Sequence, residues 1–186
     1  MQTIKKTVVF LLILSLVNTL CSCSKKVSTD EKLYDTYIDE VYMSNLHMPK
    51  LSELDNYNHI SIIRKTKNVL IMPSVVESIV LICRYDQESY LEQKETISST
   101  ICFLDDSENQ PSELKDYTAC VSGFDIRIVE KQEKITEGYW YDYPKCFLMI
   151  GTNDSKHSIA YLFHFDSELD EIDNLDRYIN KYYSFE

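Results

Sequence analysis

Glu77-Ser78-Ile79-Val80-Leu81-Ile82-Cys83-Arg84-Tyr85 is a strand by its own chemistry: β-branched and aromatic residues dominate, and neither Gly nor Pro interrupts them. Its period of two sets Ile79, Leu81, Cys83 and Tyr85 on one face and Val80 and Ile82 on the other. Apolar side chains on both faces predict a central position in a sheet. Asp86, directly after, is placed to cap a helix running to about Ser98 with Tyr90, Leu91 and Ile97 turned inward. A further strand is expected at Thr100 to Leu104, and if it lies parallel to the first, the unit is a right-handed crossover.

Upstream, His59 to Ile63 and Val69 to Met72 read as short strands around a Lys65-Thr66-Lys67-Asn68 turn, with Pro73 as the break. Before them Ser28 and Glu31 fit a capping box, and Tyr34, Tyr37, Ile38 and Val41 recur at helical spacing, predicting a helix from about Thr29 to His47 that Pro49 stops. Downstream, Asp105 to Asp116 is an acidic surface loop. A meander then follows, with strands at 117–121, 124–130, 135–141, 146–150 and 158–165 and a turn over Gly151 to Lys156. Ser167 is placed to cap a terminal helix whose apolar stripe is Leu169, Ile172, Leu175, Ile179 and Tyr182, with Asp170 and Glu171 at its positive end. The order predicts an α+β fold: a single domain over residues 30–186, with a largely antiparallel sheet packed by helices on one face.

The N-terminal residues have a different logic. Lys5 and Lys6 precede an apolar run from Thr7 to Val17, a polar break at Asn18 and Thr19, and then Leu20-Cys21-Ser22-Cys23. The run is shorter than the roughly 20 residues that span a bilayer. This arrangement resembles the signal peptide of bacterial lipoproteins, with Leu20 and Ser22 filling the positions read by the processing enzymes ahead of Cys23. The resemblance covers residues 1–23 only. It implies removal of residues 1–22, lipidation of Cys23, a short tether over residues 23–29, and anchoring on the extracytoplasmic side of the cell membrane or outer membrane.

Removal of 22 residues would leave 164 of 186, enough for one domain with a sizeable core. The lost segment holds two lysines and no acid, so the net charge of −11 becomes −13. Such a charge excludes the basic footprint that nucleic acid needs and favours a cationic protein or peptide as partner, although acidity also serves solubility. Gly123, Gly138 and Gly151 are the only glycines and are too dispersed for a phosphate-cradling loop. No cofactor and no metal site is expected. The cysteines Cys83, Cys102, Cys120 and Cys146 form no CxxC pair and sit in apolar runs, which leaves two readings open: buried thiols, or at least one disulfide, for which Cys102 and Cys120 are best placed.

Two segments carry candidate function. Gly138-Tyr139-Trp140-Tyr141-Asp142-Tyr143-Pro144 concentrates rigid aromatics, and Tyr139, Trp140, Tyr141 and Tyr143 are the candidate partner-binding residues. The competing reading is a Tyr-rich hairpin whose rings cover the sheet. His164 and Asp166, two apart in a predicted strand, share a face and could share a hydrogen bond. No nucleophile motif accompanies them, so a non-enzymatic binding or accessory module, of the kind that captures a cationic hydrolase or toxin, is the expected function, with an envelope hydrolase built on His164 and Asp166 as the alternative.

Overall fold

The computed structural model describes residues 24–40, 48–68, 75–108, 110–130, 143–183 and 185. Seven strands form one sheet: β1 (Ser24–Ser28), β2 (Tyr57–Asn68), β3 (Val75–Tyr85), β4 (Thr118–Val121), β5 (Phe124–Ile128), β6 (Cys146–Asn153) and β7 (Ser158–Asp166). Their spatial order is β1-β2-β3-β7-β6-β5-β4, and every neighbouring pair is antiparallel. The chain is thus a single α+β domain. The expected crossover does not form, because the neighbours of β3 are β2 and β7 and Thr100 to Leu104 is not a strand. Of that segment only Phe103 pairs, through one antiparallel bridge to Val129.

The helices are α1 (Tyr34–Glu40), α2 (Gln87–Thr100) and α3 (Leu175–Tyr182). They divide between both faces of the sheet rather than gathering on one. On the first face Tyr34 and Ile38 of α1, and Tyr90 and Ile97 of α2, pack over Ile79, Leu81, Cys83, Ile159, Tyr161 and Phe163. On the second, Leu175 and Ile179 of α3 join Leu104, Leu114 and Ile172 over Val80, Ala160, Leu162, Met149 and Ile126. The physical reason lies in β3 and β7, whose side chains are apolar in both directions and need cover in both. Leu91, expected inward, stands 56% exposed on α2.

Local chemistry accounts for the remaining departures. Lys65 to Asn68 continue β2 instead of turning, since they pair in register with Ser78 to Val75. Ser24 to Ser28, read as a tether, pair with Arg64 to Asn68 as the edge strand β1. The terminal helix begins at Leu175, capped by Asn174, whose side chain accepts from the Arg177 N–H. Ser167 to Asn174 form instead a loop docked on residues 113–115: Lys115 N–H donates to the Ile172 carbonyl and Ile172 N–H to the Glu113 carbonyl. Asp170 and Glu171 therefore do not lie at a helix start. Residues 1–23, including Cys23, lie outside the described residues, as do 41–47, 69–74 and 131–142 with the expected strand at 135–141.

Ile79 is fully buried at the centre of the first face. Ile79→Ala is expected to cost about 2–5 kcal/mol through lost transfer energy and a residual cavity. Urea unfolding should show a lower midpoint at an unchanged slope.

Candidate functional site

β7 carries His164 and Asp166 to the second face, as strand parity requires, but does not pair them. His164 is fully buried, and its Nε2 lies 2.5 Å from the Tyr178 hydroxyl of α3. Asp166 accepts the Glu168 backbone N–H at 3.0 Å. Opposite His164 stands Ser78, whose hydroxyl donates to the Tyr182 carbonyl rather than facing the imidazole. Burial lowers the His164 pKa to about 3, so the ring is neutral at ordinary pH. Enclosed by Phe147, Tyr178 and Tyr182, it ties α3 to the sheet. An imidazole without contact to solvent cannot exchange protons with an external substrate.

The four cysteines are free thiols. Of the two open readings neither describes Cys102 and Cys120, which are free and exposed in this structure: Cys102 precedes an isolated bridge and Cys120 faces Asp125 across the β4–β5 hairpin, so the two do not lie on facing strands. Cys83 is buried, which pushes its thiol up to about 12 and leaves it a small hydrophobe. Tyr139, Trp140 and Tyr141 lie outside the described residues. Tyr143 is half-buried; its hydroxyl donates to the Val129 carbonyl and its ring meets Phe147, so it serves as cover for the second face.

Two surface features remain, of opposite sign. At the β4 edge, the bridge between Leu114 and Ile172 sets two acidic segments side by side. Glu113, Asp116, Asp170, Glu171, Asp173 and Asp176 are all exposed there. Lys115 lies among them, 2.6 Å from both Glu171 and Asp173, and holds the Asp173 carboxyl below the usual carboxylate range, while Lys145 stands 3.8 Å from Asp170. Asp176 also accepts the outward N–H of Cys120, closing that edge against further strand pairing.

The second feature is a recess of about 80 Å³ at the far end of the second face, lined by His59, Ser61, Ile82, Arg84, Phe124, Lys156, Ser158 and Phe185. Pairing builds it: His59 faces Arg84, Arg84 faces Ser158 and Ser158 faces Asn153, one row across β2, β3, β7 and β6. A register shift between Tyr57 and His59 re-aims the start of β2 into that row. In the next row Ile82 faces Ala160 and Ala160 faces Gly151. A side chain at Gly151 would meet Ile126 Cγ1 at 2.9 Å, which shows how closely Ile126 and Phe124 lean over it. The recess did not stand out in the sequence, since its residues come from five separate segments that only the strand register brings together.

Comparison of the chain with known protein families, with curated proteins and with solved structures returns no match.

His164 makes stability depend on pH in a definite direction. Its pKa is lower folded than the ordinary 6.5, so the unfolded chain binds the extra proton and stability falls as pH drops from about 6.5 toward 3. His164→Gln keeps a hydrogen-bonding side chain and removes the titration. Urea midpoints measured across that window should decline less steeply in the variant than in the parent.

Proposed function

We propose that this chain is a lipid-anchored, extracytoplasmic, non-enzymatic binding module whose acidic face captures a cationic protein. The observation that supports it is the juxtaposition of Glu113 and Asp116 with Asp170, Glu171, Asp173 and Asp176, six carboxylates that outnumber the nearby Lys115, Lys145 and Arg177 and concentrate negative potential on one edge of the molecule. Charge gathered on one side steers an oppositely charged partner to that side and raises the encounter rate. Tethering through Cys23 would hold the β1 edge at the envelope surface, since β1 begins at the next residue, and would leave the acidic β4 edge, at the other end of the strand order, turned outward toward an arriving partner. Among the described residues no helix is long and apolar enough to cross a membrane. Trp140 and its neighbouring tyrosines would add short-range contacts once the partner has arrived.

The reading has separable outcomes. Mass spectrometry of the membrane fraction should find an acylated N-terminal Cys23 peptide, and Cys23→Ser should move the protein into the soluble fraction. Pull-down from envelope extract with the tagged mature protein should recover a basic protein at low salt and little of it at high salt. Replacing Asp116 and Asp170 by Asn should slow association, while Trp140→Ala should mainly speed dissociation. Recovery of no basic protein, or recovery indifferent to both salt and the Asn replacements, would end the proposal.

A further inference from the structure

The recess at the far end of the second face has the wrong sign for a molecule of net charge −11, and that makes it informative. Arg84, Lys156 and His59 converge on it, while no carboxylate is among the residues that line it. Several other cations of this protein are paired, Arg64 with Glu77, Arg127 with Asp105 and Asp106, Lys94 with Asp154, and Lys115 with Glu171 and Asp173, whereas Lys32, Arg177 and Lys181 stand singly on convex helix surfaces. Among the described residues the Arg84 guanidinium and the Lys156 ammonium have no ion-pair partner, and the Ser61 hydroxyl has no hydrogen-bond partner. In a chain with so many surplus carboxylates, two cations left unpaired beside one another in a concavity leave room for an anion from outside.

The surroundings hold these groups in place. The Asn153 carboxamide oxygen accepts from the Ser155 hydroxyl at 2.8 Å and the Lys156 N–H at 3.0 Å, which fixes the turn bearing Lys156. The Ser158 hydroxyl donates to the Lys156 carbonyl at 3.0 Å and pins the same turn from β7. The Asn153 Nδ2 is buried without a hydrogen-bond partner among the described residues and lies toward Gly123, outside the lining of the recess. Phe124 and Phe185, with ring centroids 5.2 Å apart, and Ile82 supply an apolar wall.

We infer that this recess binds a small organic oxyanion, a carboxylate or phosphate carried on a short apolar stem. The planar guanidinium of Arg84 offers two parallel N–H donors that match the oxygens of either headgroup, Lys156 adds a point charge, and Ser61 donates a neutral hydrogen bond. The stem lies against Phe124, Phe185 and Ile82. The volume suits a group of several heavy atoms rather than a single water, which needs only about 10–15 Å³. This site is independent of the acidic edge and of any anchor.

The test titrates the ¹⁵N-labelled mature protein with phenylacetate, phenyl phosphate, acetate and inorganic phosphate, following amide shifts. Saturable shifts at Arg84, Lys156 and Ser158 are expected, with each phenyl compound binding several-fold tighter than its stemless counterpart. Arg84→Gln should weaken binding by about tenfold or more, as loss of a charge-assisted pair does. Lys156→Gln should weaken it less, and Lys115→Gln, at the opposite edge, should leave it unchanged. Spectral dispersion and the urea midpoint of each variant confirm that it is folded. The carboxylate and phosphate arms identify the preferred headgroup. Absence of saturable shifts with all four compounds, or full affinity in a folded Arg84→Gln variant, would overturn the inference.

Discussion

Antiparallel pairing of β3 with β7 is the constraint from which the rest of the molecule follows. Nine consecutive register pairs, Val76 with Asp166 through Arg84 with Ser158, join two strands that are apolar on both faces. A sheet with two greasy sides must be covered twice, and a chain of this length can do so only with short pieces. α1 and α2 cover one side; α3, the turn at Leu104 and the loop through Ile172 cover the other. Because each cover is small, each is fastened by specific polar bonds as well as by packing. Tyr34 donates to the Pro49 carbonyl, Tyr90 reaches Asp154, and Tyr183 donates to the Phe163 carbonyl from a buried position. The abundance of tyrosine thus has a mechanical meaning, since an aromatic ring fills the interface while its hydroxyl locks the geometry.

The same constraint explains where the second face stays open. α3 sits over the end of β7 that carries His164, as the contacts of Tyr178 and Tyr182 with His164 and Ser78 require. Arg84 and Ser158 lie six residues along their strands from Ser78 and His164, about 20 Å away at the usual rise. An eight-residue helix reaches only about 12 Å. Beyond it, among the described residues, Phe185 and the turn bearing Lys156 lie over the face, where His59, Arg84 and Lys156 meet water while Ser158 is buried.

How much of this could be seen in the sequence depended on whether a pattern was local. The two-faced strand around Ile79 to Tyr85 and the Asp86 cap were legible because period and capping act within a few residues; Asp86 accepts the Ser89 N–H as such a cap should. The α+β class and the antiparallel character followed from the same local signals. What failed was decided by distant partners. Ser167 with two acids after it satisfies every local rule for a helix start, yet the backbone of Ile172 is claimed by residues 113 and 115, and a helix there would forfeit those bonds. Ser24 to Ser28 carry no strand pattern and become one only because Arg64 to Asn68 offer an unpaired edge. The recess was invisible for a related reason: His59, Arg84, Ser158 and Lys156 are neighbours through register alone, and register is a property of pairs of strands.

Opposite charges at the two ends of one sheet also set how each would respond to its surroundings. The acidic edge is exposed, so its reach is the Debye length, about 8 Å at physiological ionic strength, and salt weakens whatever it attracts. A small anion approaching the recess meets the net negative charge of the whole protein first, and the convergent cations of Arg84 and Lys156 only at close range. Arg84 and Lys156 are themselves exposed, so salt screens their attraction as well, and only the apolar contact with Phe124 and Phe185 escapes it. Affinity at the recess should therefore fall less with ionic strength than association at the acidic edge, by the share that the apolar stem contributes. One fold can in this way hold two charged surfaces that do not interfere with each other, provided that one acts at a distance and the other only on contact.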